Sequence, residues 1–166
     1  MNTSIAVIGG GNMARSLIGG LLQKGLDKSN IHVSEPYAPT RDALAQELAL
    51  HVRDDNVAVA KEAPVWLFAV KPQVMKTVCG ELKNLAQTQK PLIISIAAGI
   101  TATQLNSWLG GNMAVVRVMP NTPALLGAGA SGLYANEQVC DEQKHMAEQL
   151  FRATGLAVWI EEERLI

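Results

Sequence analysis

The chain has 166 residues, of which 48% are hydrophobic and 17% charged, and its formal net charge at pH 7 is −1. This length and composition predict a folded domain with a substantial core and exclude a disordered chain. The charge gives no bulk attraction to nucleic acid or to a membrane surface, and no apolar run reaches the roughly 18 residues that a transmembrane helix needs.

A glycine-rich turn between a strand and a helix stands at the start of the chain. The apolar run 5–8 predicts a strand. Gly9, Gly11 and Ala14 then follow with the G-x-G-x-x-A spacing of dinucleotide-binding folds. Gly9 permits a tight turn, Gly11 lets a diphosphate approach the backbone, and the next helix offers free N–H groups to phosphates. A purely structural turn is the alternative, and the position between strand and helix favours the dinucleotide.

The second predicted strand, 31–35, ends in an acidic residue where such folds contact the adenosine ribose. Glu35 alone favours NAD, because a carboxylate accepts a hydrogen bond from the ribose 2′-hydroxyl. Ser34, Thr40 and Arg41 could instead hold a 2′-phosphate, although Arg41 also fits a solvated first helical turn. The residues here leave NAD and NADP both open.

Two further strand ends suit a ligand. The strand 65–70 is apolar throughout and leads into Lys71 and Pro72. The strand 92–96 leads into Ala97-Ala98-Gly99, whose small residues would let the backbone pack against a flat group. Ligands of open α/β sheets bind at the carboxyl ends of the strands. A surface lysine and an ordinary strand-to-helix turn are the alternatives.

The remaining elements follow from apolar periodicity and from proline and glycine positions. Further strands are predicted at 51–53, 114–118, 131–135 and 156–160, and further helices at 39–48, 56–62, 73–85, 103–109 and 139–153. Val74, Val78 and Leu82 repeat at i+4 as an apolar helix face, and Thr103 is a candidate cap. The alternation predicts an α/β fold with a doubly wound, mainly parallel Rossmann-type sheet in three layers, α/β/α.

The sequence contains no recognisable metal-binding or nucleophile motif. His32, His51 and His145 lie on separate predicted elements and fit ordinary structural roles, and there is no G-x-S-x-G motif. Cys79 and Cys140 are far apart, and no basic leader precedes the first apolar run, so we expect a reducing cytoplasm. The chemistry would therefore belong to a bound redox cofactor.

Four motifs follow one another along the chain: IGGGNM at 8–13, AVKP at 69–72, SIAAGI at 95–100 and MPNTPA at 119–124. In residues, order and spacing they resemble the pyrroline-5-carboxylate reductase family over the whole chain. The resemblance implies an oxidoreductase that reduces 1-pyrroline-5-carboxylate to L-proline with NAD(P)H, the last step of proline biosynthesis. It also implies direct hydride transfer to the C=N carbon, with the proton coming from solvent or from an imine already protonated.

The resemblance also assigns residues to the site. Those it implies for the cofactor are Ile8, Gly9, Gly10, Gly11, Asn12, Met13, Ser34, Glu35, Asn56, Ala69, Val70, Lys71, Pro72, Ile96, Ala97 and Ala98. Those near the substrate are Pro120, Asn121, Thr122 and Pro123. It assigns no metal and no catalytic side chain, although Lys71 is a candidate for an electrostatic role. NADP(H) is the favoured cofactor, with NAD(H) as the alternative because Glu35 stands where many members carry a small hydroxyl residue.

Members of this family continue into a helical domain that forms the dimer and much of the imine site. We therefore expect residues 1–160 to form the NAD(P)-binding domain and 161–166 to begin a helix leading into that missing domain. A full-length protein would be a homodimer or larger, whereas this chain alone is expected to be monomeric and poorly active, without nucleic-acid or membrane partners. The alternatives are another Rossmann dehydrogenase of the hydroxy-acid or prephenate type and a non-catalytic NAD(P)-binding module.

Overall fold

Eight strands form one sheet in the computed structural model, which describes residues 3–120, 130–153 and 155–166. They are β1 Ile5–Ile8, β2 Ile31–Ser34, β3 Val52–Arg53, β4 Val65–Phe68, β5 Leu92–Ser95, β6 Ala114–Pro120, β7 Ala130–Ala135 and β8 Leu156–Trp159. Their order across the sheet is β3-β2-β1-β4-β5-β6-β7-β8. Neighbouring strands are parallel, apart from the antiparallel pair β6 and β7. This order confirms the predicted doubly wound, mainly parallel Rossmann-type sheet.

Helices cover both faces of the sheet. They are α1 Asn12–Gln23, α2 Ala38–Leu48, α3 Asn56–Ala60, α4 Pro72–Gln89, α5 Ala102–Trp108 and α6 Asp141–Arg152, and short 3-10 turns occupy Lys28–Asn30 and Glu163–Leu165. Alternate residues of β1 point to opposite faces, so Val7 and Ile8 belong to two separate apolar clusters. Helices α1, α2 and α6 contribute to the cluster around Val7, and α3, α4 and α5 to the cluster around Ile8. The result is the predicted three-layer arrangement.

Two details inferred from the sequence are wrong. Helix α5 is capped by Thr101, not Thr103, because Gln104 completes a reciprocal capping box with Thr101. Of the i+4 residues on helix α4, Val78 and Leu82 are buried and Val74 is 45% exposed. That helix also continues to Gln89 and ends at Lys90, which adopts a left-handed conformation before Pro91.

The end of the chain forms a short turn after β8. Glu163–Leu165 is the 3-10 turn at the position where the beginning of a helix is predicted. The continuation into a helical domain stays a prediction. Among the helices in residues 3–120, 130–153 and 155–166, none combines the length and apolar character that crossing a membrane requires.

Candidate functional site

A cleft of about 900 Å³ opens at the carboxyl edge of the sheet, where β1 lies between β2 and β4. This is the point at which the strand order reverses, and ligands of doubly wound sheets bind there. Seven of the residues assigned to the cofactor line the cleft: Gly9, Gly11, Glu35, Asn56, Ala69, Val70 and Lys71.

The turn after β1 has the geometry that a dinucleotide cradle needs. Gly9 has φ +104°, and a Cβ there would lie 2.8 Å from the carbonyl carbon and oxygen of Ala69, so glycine allows the turn to pack against the end of β4. A Cβ at Gly11 would meet no atom within 4 Å. Gly11 is also the N-cap of α1, and it has no side chain with which to cap the helix. Within the described residues, neither the N–H of Gly11 nor that of Asn12 has an acceptor. Open space and free amides at a helix N-terminus suit a diphosphate.

The carboxylate of Glu35 is fixed at the end of β2. Its Oε1 accepts the N–H of Gly10 at 3.0 Å, and its Oε2 accepts the N–H of Tyr37 at 2.9 Å. The guanidinium of Arg41 donates to the backbone carbonyls of Glu35 and Pro36, at 3.0 and 3.2 Å. The cleft wall at this point therefore carries an immobilised negative charge.

Ser34 and Asn56 act as a connected pair. Ser34 is fully buried, and its hydroxyl donates to Oδ1 of Asn56 at 2.6 Å. The amide of Asn56 in turn donates to Oε2 of Glu81 at 3.4 Å. Asn56 and Glu81 line the cleft, whereas Ser34 supports it from behind.

Among the described residues, the other assigned ones do not line the cleft. Ile8 is buried in β1, Gly10 is packed against Leu44 and Glu35, Asn12 and Met13 begin α1, and Pro72 begins α4. Ile96 and Ala97 are each 6% exposed beyond the end of β5, and Ala98 beside them is exposed. Pro120 is the last residue of β6, and Asn121, Thr122 and Pro123 lie outside the described residues.

One wall of the cleft was missed by sequence reasoning. Val74, Thr77, Val78 and Glu81 of α4 line it, and so does Tyr37 after β2, which is 64% exposed. The spacing i, i+3, i+4, i+7 directly after a strand end was the available signal. This spacing did not indicate a cleft wall, because Val74 and Val78 also fit an apolar core face.

Behind this wall lies Cys79, which is fully buried on α4. Burial raises the pKa of its thiol to about 12, since the thiolate would lose its hydration. The thiol is therefore neutral at physiological pH. His, Cys, Asp and Glu side chains of the described residues form no group of three that could hold a metal ion.

Comparison with known proteins identifies the family. The sequence model described as "NADP oxidoreductase coenzyme F420-dependent" matches residues 4–99, which is more than half of the chain. The chain belongs to this family. The part of the chain that matches the family model extends from β1 to the turn after β5 and includes every residue described as lining the cleft.

Individual proteins are similar to this chain over almost its whole length. A pyrroline-5-carboxylate reductase of Pseudomonas aeruginosa is 50% identical over 98% of this chain and 59% of its own length. The solved pyrroline-5-carboxylate reductase of Coxiella burnetii superposes with a TM-score of 0.93 at 42% identity, covering 98% of this chain and 60% of that one. These similarities confirm the resemblance to pyrroline-5-carboxylate reductases, and the chain spans about three fifths of the length of both relatives.

A third relative bears on the cofactor. The pyrroline carboxylate reductase of Plasmodium falciparum, solved with NADP bound, has a TM-score of 0.84 at 26% identity and covers 99% of this chain and 60% of its own. Family membership and this neighbour together support NAD(P) as the cofactor class.

Proposed function

We propose that the chain is the NAD(P)H-binding part of a reductase that converts 1-pyrroline-5-carboxylate to L-proline. The observation that carries the proposal is the 50% identity to the Pseudomonas aeruginosa reductase across 98% of this chain. All four motifs lie inside that span. The cleft at the strand-order reversal supplies a binding site of suitable size.

The residues around the cleft fit a dinucleotide. The free amides at the start of α1 and the open space at Gly11 would receive the diphosphate. Glu35 would meet the adenosine ribose, and Asn56 the adenosine end. Ala69–Pro72 and Ile96–Ala98, at the ends of β4 and β5, would line the nicotinamide half.

The implied chemistry needs little from acidic or basic side chains. When bound, the dinucleotide supplies the hydride for the C=N carbon. The chain's own residues orient the reactants, and Lys71 adds positive charge at the cleft wall, where an anionic substrate would be attracted. A cyclic imine is protonated in water more readily than a ketone, so the proton can come from solvent.

The choice between the two dinucleotides depends on Glu35. The resemblance favours NADP(H), but the Glu35 carboxylate, which we propose meets the ribose, is held in place by two backbone amides. A 2′-phosphate would meet this negative charge, whereas a 2′-hydroxyl would donate a hydrogen bond to it. Arg41 already binds two carbonyl oxygens. We therefore infer that NAD(H) is the preferred cofactor of this chain.

The test is oxidation of NADH and of NADPH upon addition of 1-pyrroline-5-carboxylate. The chain is assayed alone and fused to the part of the Pseudomonas aeruginosa reductase that it does not match, with that intact reductase as positive control. We expect activity in the fusion, faster with NADH, and little in the chain alone, which should be monomeric. A fusion that binds the dinucleotide but leaves the imine unreduced would overturn the substrate assignment. Absence of dinucleotide binding would overturn the cofactor site itself.

A further inference from the structure

A buried arginine and a glutamate near the end of the chain connect three elements beside the nicotinamide side of the site. Arg117 on β6 is 7% exposed, and its Nη1 lies 3.1 Å from Oε2 of Glu163. The same oxygen accepts the N–H of Ala102, the first residue of α5, at 2.6 Å. One carboxylate oxygen therefore joins β6, α5 and the turn that follows β8.

The pairing has a clear energetic basis. A guanidinium as deeply buried as that of Arg117 destabilises the fold unless an anion compensates its charge. Within the described part of the chain, Glu163 supplies that anion, and its own side chain is 21% exposed. The contact is therefore better shielded from solvent than an ordinary surface ion pair.

These contacts bracket the segment between β5 and α5. Just before it, Ser95 ends β5 and stands opposite Arg117 in the strand register, and its Oγ accepts the N–H of Ala97 at 3.2 Å. Just after it, Ala102 is bound to Glu163. Glu163 is thus tied directly to one end of the segment, and through Arg117 to the strand that supports the other end.

We propose that Glu163 is a positioning residue for the nicotinamide half of the site, acting through Arg117 and the start of α5. The inference rests on the proposed function, which assigns Ile96–Ala98 to the nicotinamide. Loss of the pair frees this segment to shift relative to β6. The adenosine diphosphate half uses the turn after β1 and the end of β2, which are held by other bonds. The contacts of the adenosine diphosphate half should therefore be unchanged when the Arg117–Glu163 pair is lost.

The experiment compares NADH with ADP-ribose, which lacks the nicotinamide, by titration calorimetry on the 166-residue chain. Glu163→Gln removes the charge but keeps an acceptor for Ala102, and Arg117→Lys keeps the opposite charge. Glu162→Gln is the matched control, because the neighbouring carboxylate of Glu162 pairs with Arg164 at the surface. We expect Glu163→Gln to weaken NADH binding about fivefold to tenfold while ADP-ribose binding stays within about twofold. The NADH affinity of Arg117→Lys should lie between those of Glu163→Gln and the unaltered chain. Glu162→Gln should change neither the NADH affinity nor the ADP-ribose affinity.

Each other outcome has a distinct meaning. Equal losses for both ligands would indicate a purely structural role and overturn the proposal, and so would unchanged NADH binding in Glu163→Gln. The proposal would also be overturned if the unaltered chain bound NADH no more tightly than ADP-ribose. The segment Ile96–Ala98 would then make no contribution to NADH affinity. If the unaltered chain binds neither ligand, the proposed function fails instead. Retained ADP-ribose binding reports that a variant is folded, and Arg117→Lys carries the comparison if Glu163→Gln does not fold.

Discussion

The two halves of the candidate site are held together in different ways. On the proposed adenosine side, Glu35 accepts the N–H of Tyr37, two residues further along, and the N–H of Gly10, 25 residues earlier in the turn after β1. On the other side, the segment after β5 is tied to Glu163, which is 61 residues beyond Ala102. The first half is a local product of β1, β2 and their helices. The second depends on the turn after β8 reaching Arg117 of β6 and the start of α5.

The largest expected effect is on the adenosine side, from Gly9→Ala. The new Cβ would lie 2.8 Å from backbone atoms of Ala69, and φ of +104° is unfavourable for alanine. We expect the free energy of unfolding to fall by about 2–4 kcal/mol and dinucleotide binding to be lost. Urea unfolding and calorimetry measure both.

Gly11→Ala is the matched control for that change. Its Cβ meets nothing within 4 Å, so stability should stay within about 1 kcal/mol while NADH affinity drops. If both alanine variants unfolded equally easily, the distinction between a packing glycine and a ligand-facing glycine would be contradicted.

The next largest effect concerns cofactor choice. Glu35→Ser removes the charge at the proposed ribose position and should raise the preference for NADPH over NADH about 10- to 100-fold, since the repulsion of a 2′-phosphate disappears. Ratios of kcat/KM in the fused enzyme, or of Kd in the chain alone, provide the measurement. Glu62→Ser, at an exposed position outside the cleft, is the control. An unchanged ratio would remove Glu35 as the specificity residue.

Cys79 reports on the α4 wall of the cleft. Because burial raises the pKa of its thiol to about 12, a thiol reagent at pH 8 should label it only after α4 opens. NADH at ten times its Kd should slow this labelling about tenfold, as the bound state resists opening. The exposed Cys140 provides the internal reference and should react at an unchanged rate. Equal protection of both thiols would indicate reagent depletion and not closure of the wall.

The smallest effect is expected for Lys71→Met. Lys71 is exposed at the start of α4, so its attraction for an anionic substrate acts through water and is screened by salt. We expect about a threefold loss of kcat/KM for 1-pyrroline-5-carboxylate in the fused enzyme, diminishing at high ionic strength. Unchanged turnover and substrate affinity would end the electrostatic role.

Sequence reasoning succeeded where the determinants are local. The glycine turn, the apolar strands and the acidic end of β2 are all encoded within a few residues, and the fold followed from their alternation. It failed where two readings share one pattern, as for Val74, whose i+4 spacing fits a core face and a cleft wall equally well. It could not find Glu163, because three consecutive glutamates give no indication of which one meets a buried arginine on β6.

The two hydrogen bonds of Glu35 have a consequence for the thermodynamics of binding. Both carboxylate oxygens are already bonded in the chain itself, so the rotamer is selected during folding. Fixing a glutamate side chain costs up to about 2 kcal/mol of conformational entropy. Here the side chain is already ordered before a ligand arrives. The free energy of dinucleotide association therefore does not include this entropy cost. The acidic end of β2 is therefore a preorganised acceptor, and its contribution should appear in the association enthalpy without an entropic penalty from this side chain.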